Sequence, residues 1–287
     1  MLNSEFSESD FPMNQRKKTS SLNFSFVDRK VLLLVLVIFF YLSFFFPSFL
    51  SGDLLKHMSV DYPPYWSVGK IADEQGYSKI YDLKLLDQVQ KSVYLHLKEI
   101  NSPVGEYLGP GPVPYFSVFM IPFQFLSRIP PEKTVWLWNF INLLSFAFYL
   151  IYFIRQTSTE QGISRDNLTL DIFLLFSWEV FINTLSDQVG EFMCICTGEF
   201  IRNACQRKPV LSGGWLAGLL IKPQALILIL PFLLLNRDWK ALKGFGLSAF
   251  VILSISYGLS GLNGMRDLFN LLIRYSAGME TNVVEAM

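Results

Sequence analysis

The sequence predicts an all-α fold: a polytopic transmembrane helical bundle with short or broken helices and a large outer loop after the first helix. Three observations lead there. Of 287 residues, 51% are hydrophobic and 16% aromatic, and only 17% are charged, against about a quarter charged in a soluble domain. Apolar stretches recur along the whole chain, and basic residues gather mostly between them. The same composition excludes a disordered or collagen-like chain. A net charge of zero, from 24 basic and 24 acidic residues, gives no reason to expect nucleic acid as a partner. Membrane lipid is the partner this composition asks for.

Residues 1–30 are polar and Ser-rich and read as a disordered cytoplasmic tail. A transmembrane domain follows over 31–262. Its first segment, Val31 to Leu50, is apolar but for Ser43, Pro47 and Ser48, long enough to cross the hydrocarbon core. No Ala-x-Ala site follows, so it reads as an uncleaved anchor. Arg16, Lys17, Lys18, Arg29 and Lys30 precede it, which places the N-terminus inside. Residues 51–112 then form the outer loop. Within it Leu86, Val89, Val93, Leu97 and Ile100 step by three and four, the spacing of an amphipathic helix against the membrane surface or the bundle.

Further apolar stretches lie at 113–127, 134–154, 170–186, 189–201, 211–221, 224–236 and 241–262. Several are too short to span as straight helices, since about 13 residues reach only about 20 Å. Three basic clusters separate them: Arg155 and Arg165, then Arg202, Arg207 and Lys208, then Arg237, Lys240 and Lys243. With all three inside, 170–201 and 211–236 become hairpins whose apices, Asp187-Gln188 and Lys222-Pro223, face outward. Segment 113–127, with Pro114 and Pro122, then has to be re-entrant or interfacial. Residues 263–287 read as the start of an outer loop.

The chemistry concentrates at those apices and in the outer loop. Lys222 has apolar residues on both sides, where an ammonium facing lipid costs several kcal/mol. Pro223 removes a backbone donor and turns the preceding residue away from helix. Two readings stand: a phosphate-binding cation at a helix break, or a lysine that snorkels or pairs with Asp187 for structure alone. Asp187 and Gln188 either line the same cavity or form a solvated turn. Glu199 and Arg202, three apart, are placed to pair on one helix face. In the outer loop Asp53, His57, Asp61, Tyr62, Tyr65 and Trp66 follow the anchor. A carboxylate among aromatics suits sugar binding and proton abstraction from a hydroxyl; an interfacial aromatic belt has the same composition. Asn167-Leu-Thr169 fits a glycosylation acceptor on the inner side. His57 and His96 lie far apart, and Cys194, Cys196 and Cys205 form no C-x-x-C pair, so no metal site is expected. P-loop, dinucleotide-turn, H-E-x-x-H and G-x-S-x-G motifs do not occur, and no cofactor is expected.

Four stretches carry a resemblance to a known family. They are Asp61-Tyr-Pro-Pro-Tyr65-Trp66-Ser-Val-Gly69 with Tyr81-Asp82; Gly111-Pro-Val-Pro-Tyr115 through Pro122-Phe123, then Trp138-Asn139; Ser186-Asp187-Gln188-Val189; and Gly214-Trp-Leu-Ala-Gly-Leu-Leu-Ile-Lys222-Pro223-Gln. Together they resemble glycosyltransferase family 87, whose members are GT-C-type integral membrane enzymes using polyprenyl-phosphate sugars. The first stretch is similar to the family's Asp-Phe-x-x-Tyr-Tyr-x-Ala-Gly segment, and the Lys-Pro stretch is the most specific match. Departures are Asp187 in place of Gly, Gly190 in place of Asn, and Gly111-Pro-Val-Pro114 in place of Tyr-Pro-Pro.

The resemblance implies inverting transfer of a hexose, mannose first, from a polyprenyl-phosphate donor to a glycolipid or glycan acceptor. It implies Asp61 as general base and Lys222 at the leaving phosphate. Tyr62, Tyr65 and Trp66 would frame the sugar, with Asp187 and Gln188 binding beside it. The setting implied is the bacterial inner membrane with the site on the outer side. The family runs on through further segments, so a shortened member, or one needing a protein partner, is implied as well. The alternative is a non-catalytic relative serving as a membrane scaffold or lipid-linked-sugar transporter. An O-acyltransferase would need a histidine within the bundle, and both histidines fall in the outer loop.

Overall fold

A computed structural model describes residues 62–100, 107, 109–161, 177–186 and 188–276, together with Leu32, Val35, Leu36, Phe39 and Ser43, which are helical. The N-terminal tail, most of the first anchor, Asp53, His57, Asp61, Asn167, Asp187 and residues 277–287 lie outside the described residues. Among those described every regular element is a helix. Helix α1 spans Tyr62–Gln75, α2 Leu83–Glu99, α3 Ile121–Leu126, α4 Pro131–Gln161, α5 Trp178–Leu185, α6 Gly190–Cys205, α7 Pro209–Leu216, α8 Leu226–Leu235 and α9 Trp239–Ser276.

Helix α1 opens with Pro63 and Pro64 in its first turn, where a missing N–H costs nothing. Helix α2 starts at Asp82, whose carboxylate accepts from the backbone N–H of Lys84 at 3.1 Å and Leu85 at 3.2 Å, an N-cap. The amphipathic stripe is as the spacing foretold: Leu86, Val93 and Leu97 are buried and Ile100 is the exposed C-cap. That stripe packs against α1, so α2 braces the helix that carries Tyr65.

Pro131–Gln156 of α4 and Trp239–Arg274 of α9 are long and apolar enough to cross a membrane. Trp136, Phe140, Leu144 and Phe148 form an exposed stripe along α4, stepping by four as one helix face does. The apolar helices Pro209–Ile221 and Pro223–Leu235 are shorter. The first lies against α9 with backbone almost in contact: a Cβ on Gly213 would overlap the Ala241 carbonyl, and one on Gly244 the Val210 carbonyl. Small residues permit that approach between membrane helices. Gly213→Val is therefore expected to lower stability by about 3 kcal/mol or more. The check is the thermal midpoint in detergent, with exposed Gly246→Ala as the control that leaves it unchanged.

One expectation is corrected. Helix α9 does not stop at Leu262: it bends at Gly261, with φ 66° and ψ −175°, a region open essentially to glycine, and continues as helix to Ser276. The reason is a second amphipathic run. Met265, Leu268 and Leu271 are buried while Arg266, Asn270 and Arg274 are exposed. Stretch 113–127, read as re-entrant or interfacial, is broken into short pieces. Residues 113–116 are non-helical and turn where the Tyr115 N–H donates to the Val113 carbonyl at 2.8 Å, Ser117–Met120 is a 3₁₀ turn, and only α3 is α-helical. Ser117 fixes this segment to α9 by donating its hydroxyl to the Ser256 carbonyl at 3.0 Å.

Candidate active site

The first turn of α1, the non-helical strap 111–115, the two chain breaks and the far half of α9 surround one cavity of about 790 Å³. The breaks are where the local sequence requires them. The helical run from Pro209 tightens to 3₁₀ at Ala217–Ile221 and ends at Lys222, which is extended with φ −132° and ψ 83°. A residue before proline is excluded from the helical region by the proline ring. The other break, between α5 and α6, is built by Asn183. Its side-chain oxygen accepts from the Gly190 N–H at 3.1 Å, its backbone carbonyl accepts from the Gln188 N–H at 3.0 Å, and its amide donates to the Glu191 carboxylate.

The two breaks meet. Lys222 Nζ donates to Gln188 Oε1 at 2.7 Å, and the Gln188 carbonyl accepts from Asn142 Nδ2 of α4 at 3.3 Å. One hydrogen bond thus ties the ammonium to the other break, and Asn142 ties that break to α4. Tyr65 and Tyr115 share a hydroxyl–hydroxyl bond of 3.1 Å at the cavity wall. Tyr81 donates to the Tyr115 carbonyl at 2.7 Å, and burial pushes its phenol well above the usual range, so it remains a donor.

The strap is held from behind by Gln90, which is 1% exposed. Its amide donates to the Gly111 carbonyl at 2.9 Å and its oxygen accepts from the Gly111 N–H at 2.8 Å. Gln90→Met keeps the shape and removes both bonds. It is expected to loosen the strap by about 1–2 kcal/mol, two half-buried backbone groups losing partners. Faster amide exchange at Val113 and Tyr115 would register it.

The cavity has a polar end, with Lys222, Gln188, Tyr65 and Tyr115, and an apolar side of Ile227, Phe269, Leu272 and Ile273. Ile227 and Ile273 are 67% and 63% exposed, so the apolar side is open along the outer faces of α8 and α9. A cation at one end and an open hydrocarbon wall at the other fit an amphiphile with an anionic head.

Of the residues singled out in the sequence, Tyr65, Gln188 and Lys222 come together here. Tyr62 and Trp66 do not line this cavity. Tyr62 packs edge-on against Phe123 with ring centroids 6.4 Å apart. Trp66 Nε1 donates to the Ile129 carbonyl at 2.9 Å, and the ring faces a separate space of about 210 Å³ beside Lys70 and His96. Consecutive helical residues diverge by about 100°, so Tyr65 and Trp66 point to opposite flanks of α1. Asp61 and Asp187 lie outside the described residues; each directly precedes a described residue of this region, Tyr62 and Gln188. Glu199 and Arg202 pair as expected, at 2.5 Å. Among the described residues no cluster of His, Cys, Asp and Glu is placed to hold a metal.

Sequence reasoning did not single out Gln90, Asn183 or the lining residues of α9. The α9 residues had a signal, the three-and-four spacing of Phe269, Leu272 and Ile273. Gln90 had only its place on the apolar stripe of α2, two turns from any motif. The sequence profile of glycosyltransferase family 87 matches residues 113–285, more than half of the chain. The match takes in the strap from Val113 onward, both breaks and the lining residues of α9. No curated protein and no solved structure matches the chain at a significant level.

Proposed function

The chain belongs to glycosyltransferase family 87, and from that premise we propose that it moves a hexose, mannose first, from a polyprenyl-phosphate donor to a hydroxyl of a lipid- or glycan-linked acceptor, with inversion. Membership makes it a glycosyltransferase; donor, sugar and stereochemistry are the proposal. The observation that carries it is the Lys222–Gln188 pair at the polar end of a cavity whose other wall is hydrocarbon. The donor phosphate lies at Lys222 and the polyprenyl tail runs past Ile227, Phe269 and Ile273 into lipid.

In the reaction the acceptor oxygen attacks the anomeric carbon from the face opposite the phosphate. The bond from that carbon to the phosphate oxygen breaks, and the leaving polyprenyl phosphate keeps the electron pair. Lys222 stabilises the charge that grows on that oxygen, the largest single contribution such a site makes. Asp61, directly before α1, takes the proton of the attacking hydroxyl. Gln188 and Asp187 bind sugar hydroxyls beside the ammonium, and Tyr65 frames the ring. Tyr62 and Trp66 serve the sugar through α1, by fixing Tyr65. The enzyme is multi-pass and of GT-C type, in the bacterial inner membrane with the cavity toward the outer side. The direct test is transfer of labelled mannose from polyprenyl-phosphate mannose by membranes containing the chain. Label in a new product whose anomeric configuration is opposite to the donor's supports the reading. Retained configuration excludes it.

A further inference from the structure

The far half of α9 has two working faces. One lines the Lys222 cavity with Phe269, Leu272 and Ile273; the other borders a second, polar groove of about 680 Å³ against the chain around Ser78 to Leu83. Lys79, Arg266 and Arg274 converge on that groove, with Asn263, Asn270 and Asp267 between them. None of the three cations pairs with a carboxylate within 4.0 Å among the described residues. Other cations share this, Lys84, Lys98, Lys133 and Lys243 among them, so it is the convergence of three on one groove that matters. The groove's other acid, Asp82, has one carboxylate oxygen held by the first turn of α2. Three unpaired cations within one concave surface are a binding set for an oxyanion, because guanidinium offers two parallel donors to phosphate.

We propose that this groove is a second anion site, which takes the phosphate of a polar headgroup while Asn263, Asn270 and Asp267 bind its hydroxyls. It is distinct from Lys222 and only one layer away from it. Tyr81, which lines the groove, donates to the carbonyl of Tyr115, which lines the cavity. A transferase needs a second substrate close to the first, so the groove holds the charged end of the acceptor. That last assignment rests on the transferase reading; the anion site does not.

The test uses the purified full chain in neutral detergent, in a Lys222→Gln background so that the first cavity does not contribute. Dihexanoyl phosphatidic acid and glycerol 1-phosphate are titrated calorimetrically at low salt. Saturable binding is expected, weakened about tenfold or more by Arg266→Gln with Arg274→Gln. Arg266→Lys with Arg274→Lys should recover part of it, which separates loss of the site from loss of the fold. Equal affinity for both probes assigns the site to the phosphate headgroup itself; binding of the lipid alone assigns it to a membrane lipid. No saturable binding of either probe in the Lys222→Gln protein overturns the proposal, as does binding that the double glutamine variant leaves unchanged. Neither failure touches the donor reading, which is decided by transfer activity and by Lys222 variants in the unaltered groove.

Discussion

Lys222→Ala is expected to lower the turnover number by about 10²–10³, the cost of removing one group aimed at developing oxyanion charge. The effect should fall more on turnover than on KM, because the ammonium gains most from the charge that appears as the sugar–phosphate bond breaks. Lys222→Arg is expected to retain part of the activity, since the charge stays and only its geometry changes. The chain should fold in both variants. Lys222 is half-buried at a break that Pro223 imposes, so the backbone there does not depend on the ammonium. Gln188 would lose one partner, but its backbone remains held by Asn183 and Asn142. Kinetics with saturating acceptor, alongside expression and thermal midpoint, read all three expectations.

Asp61→Asn is expected to cost about 10²–10⁴ in turnover, the range for a lost general base. An amide has nearly the same shape and cannot take the proton, so donor binding should survive. The comparison that makes this specific is Asp53→Asn, eight residues earlier in the same loop, which is expected to leave turnover near wild type. Equal losses from the two changes would make Asp61 an ordinary loop acid. Rates that fall at low pH in wild type, and a flat low-pH limb in Asp61→Asn, would identify the carboxylate as the titrating base.

Much of this arrangement was legible before any coordinates. The Lys-Pro dipeptide inside an apolar run specifies a break, because proline acts on its own N–H and on the residue before it. Both effects are local, so the sequence shows them. That the Gln188 and Lys222 apices share one cavity was only one of two readings the sequence left open, a solvated turn being the other, and the partner it offered Lys222 was Asp187. The amphipathic stripe of α2 was equally plain. What sequence did not disclose depends on contacts far apart along the chain. Gln90 reaches Gly111, 21 residues on, and Ser117 reaches Ser256, 139 residues on. Neither spacing leaves a periodic trace. Tyr62, Tyr65 and Trp66 looked alike as neighbouring aromatics, and only the helical rotation of α1 separates the one that lines the cavity from the two that pack behind it. At Gly261 the opposite error arose: charged residues after an apolar run read as loop, whereas they form the polar face of a continuing helix.

The most direct measurement supplies radiolabelled polyprenyl-phosphate mannose and membrane acceptors to the wild-type chain, Lys222→Ala and Asp61→Asn at equal expression. The expected result is label in a new lipid or glycan product with wild type, and at least about a hundredfold less with either variant. Transfer by all three at similar rates would contradict the assignment of these residues. Absence of transfer by wild type, with label still bound in the cavity, would contradict the enzyme and leave a lipid-linked-sugar carrier in its place.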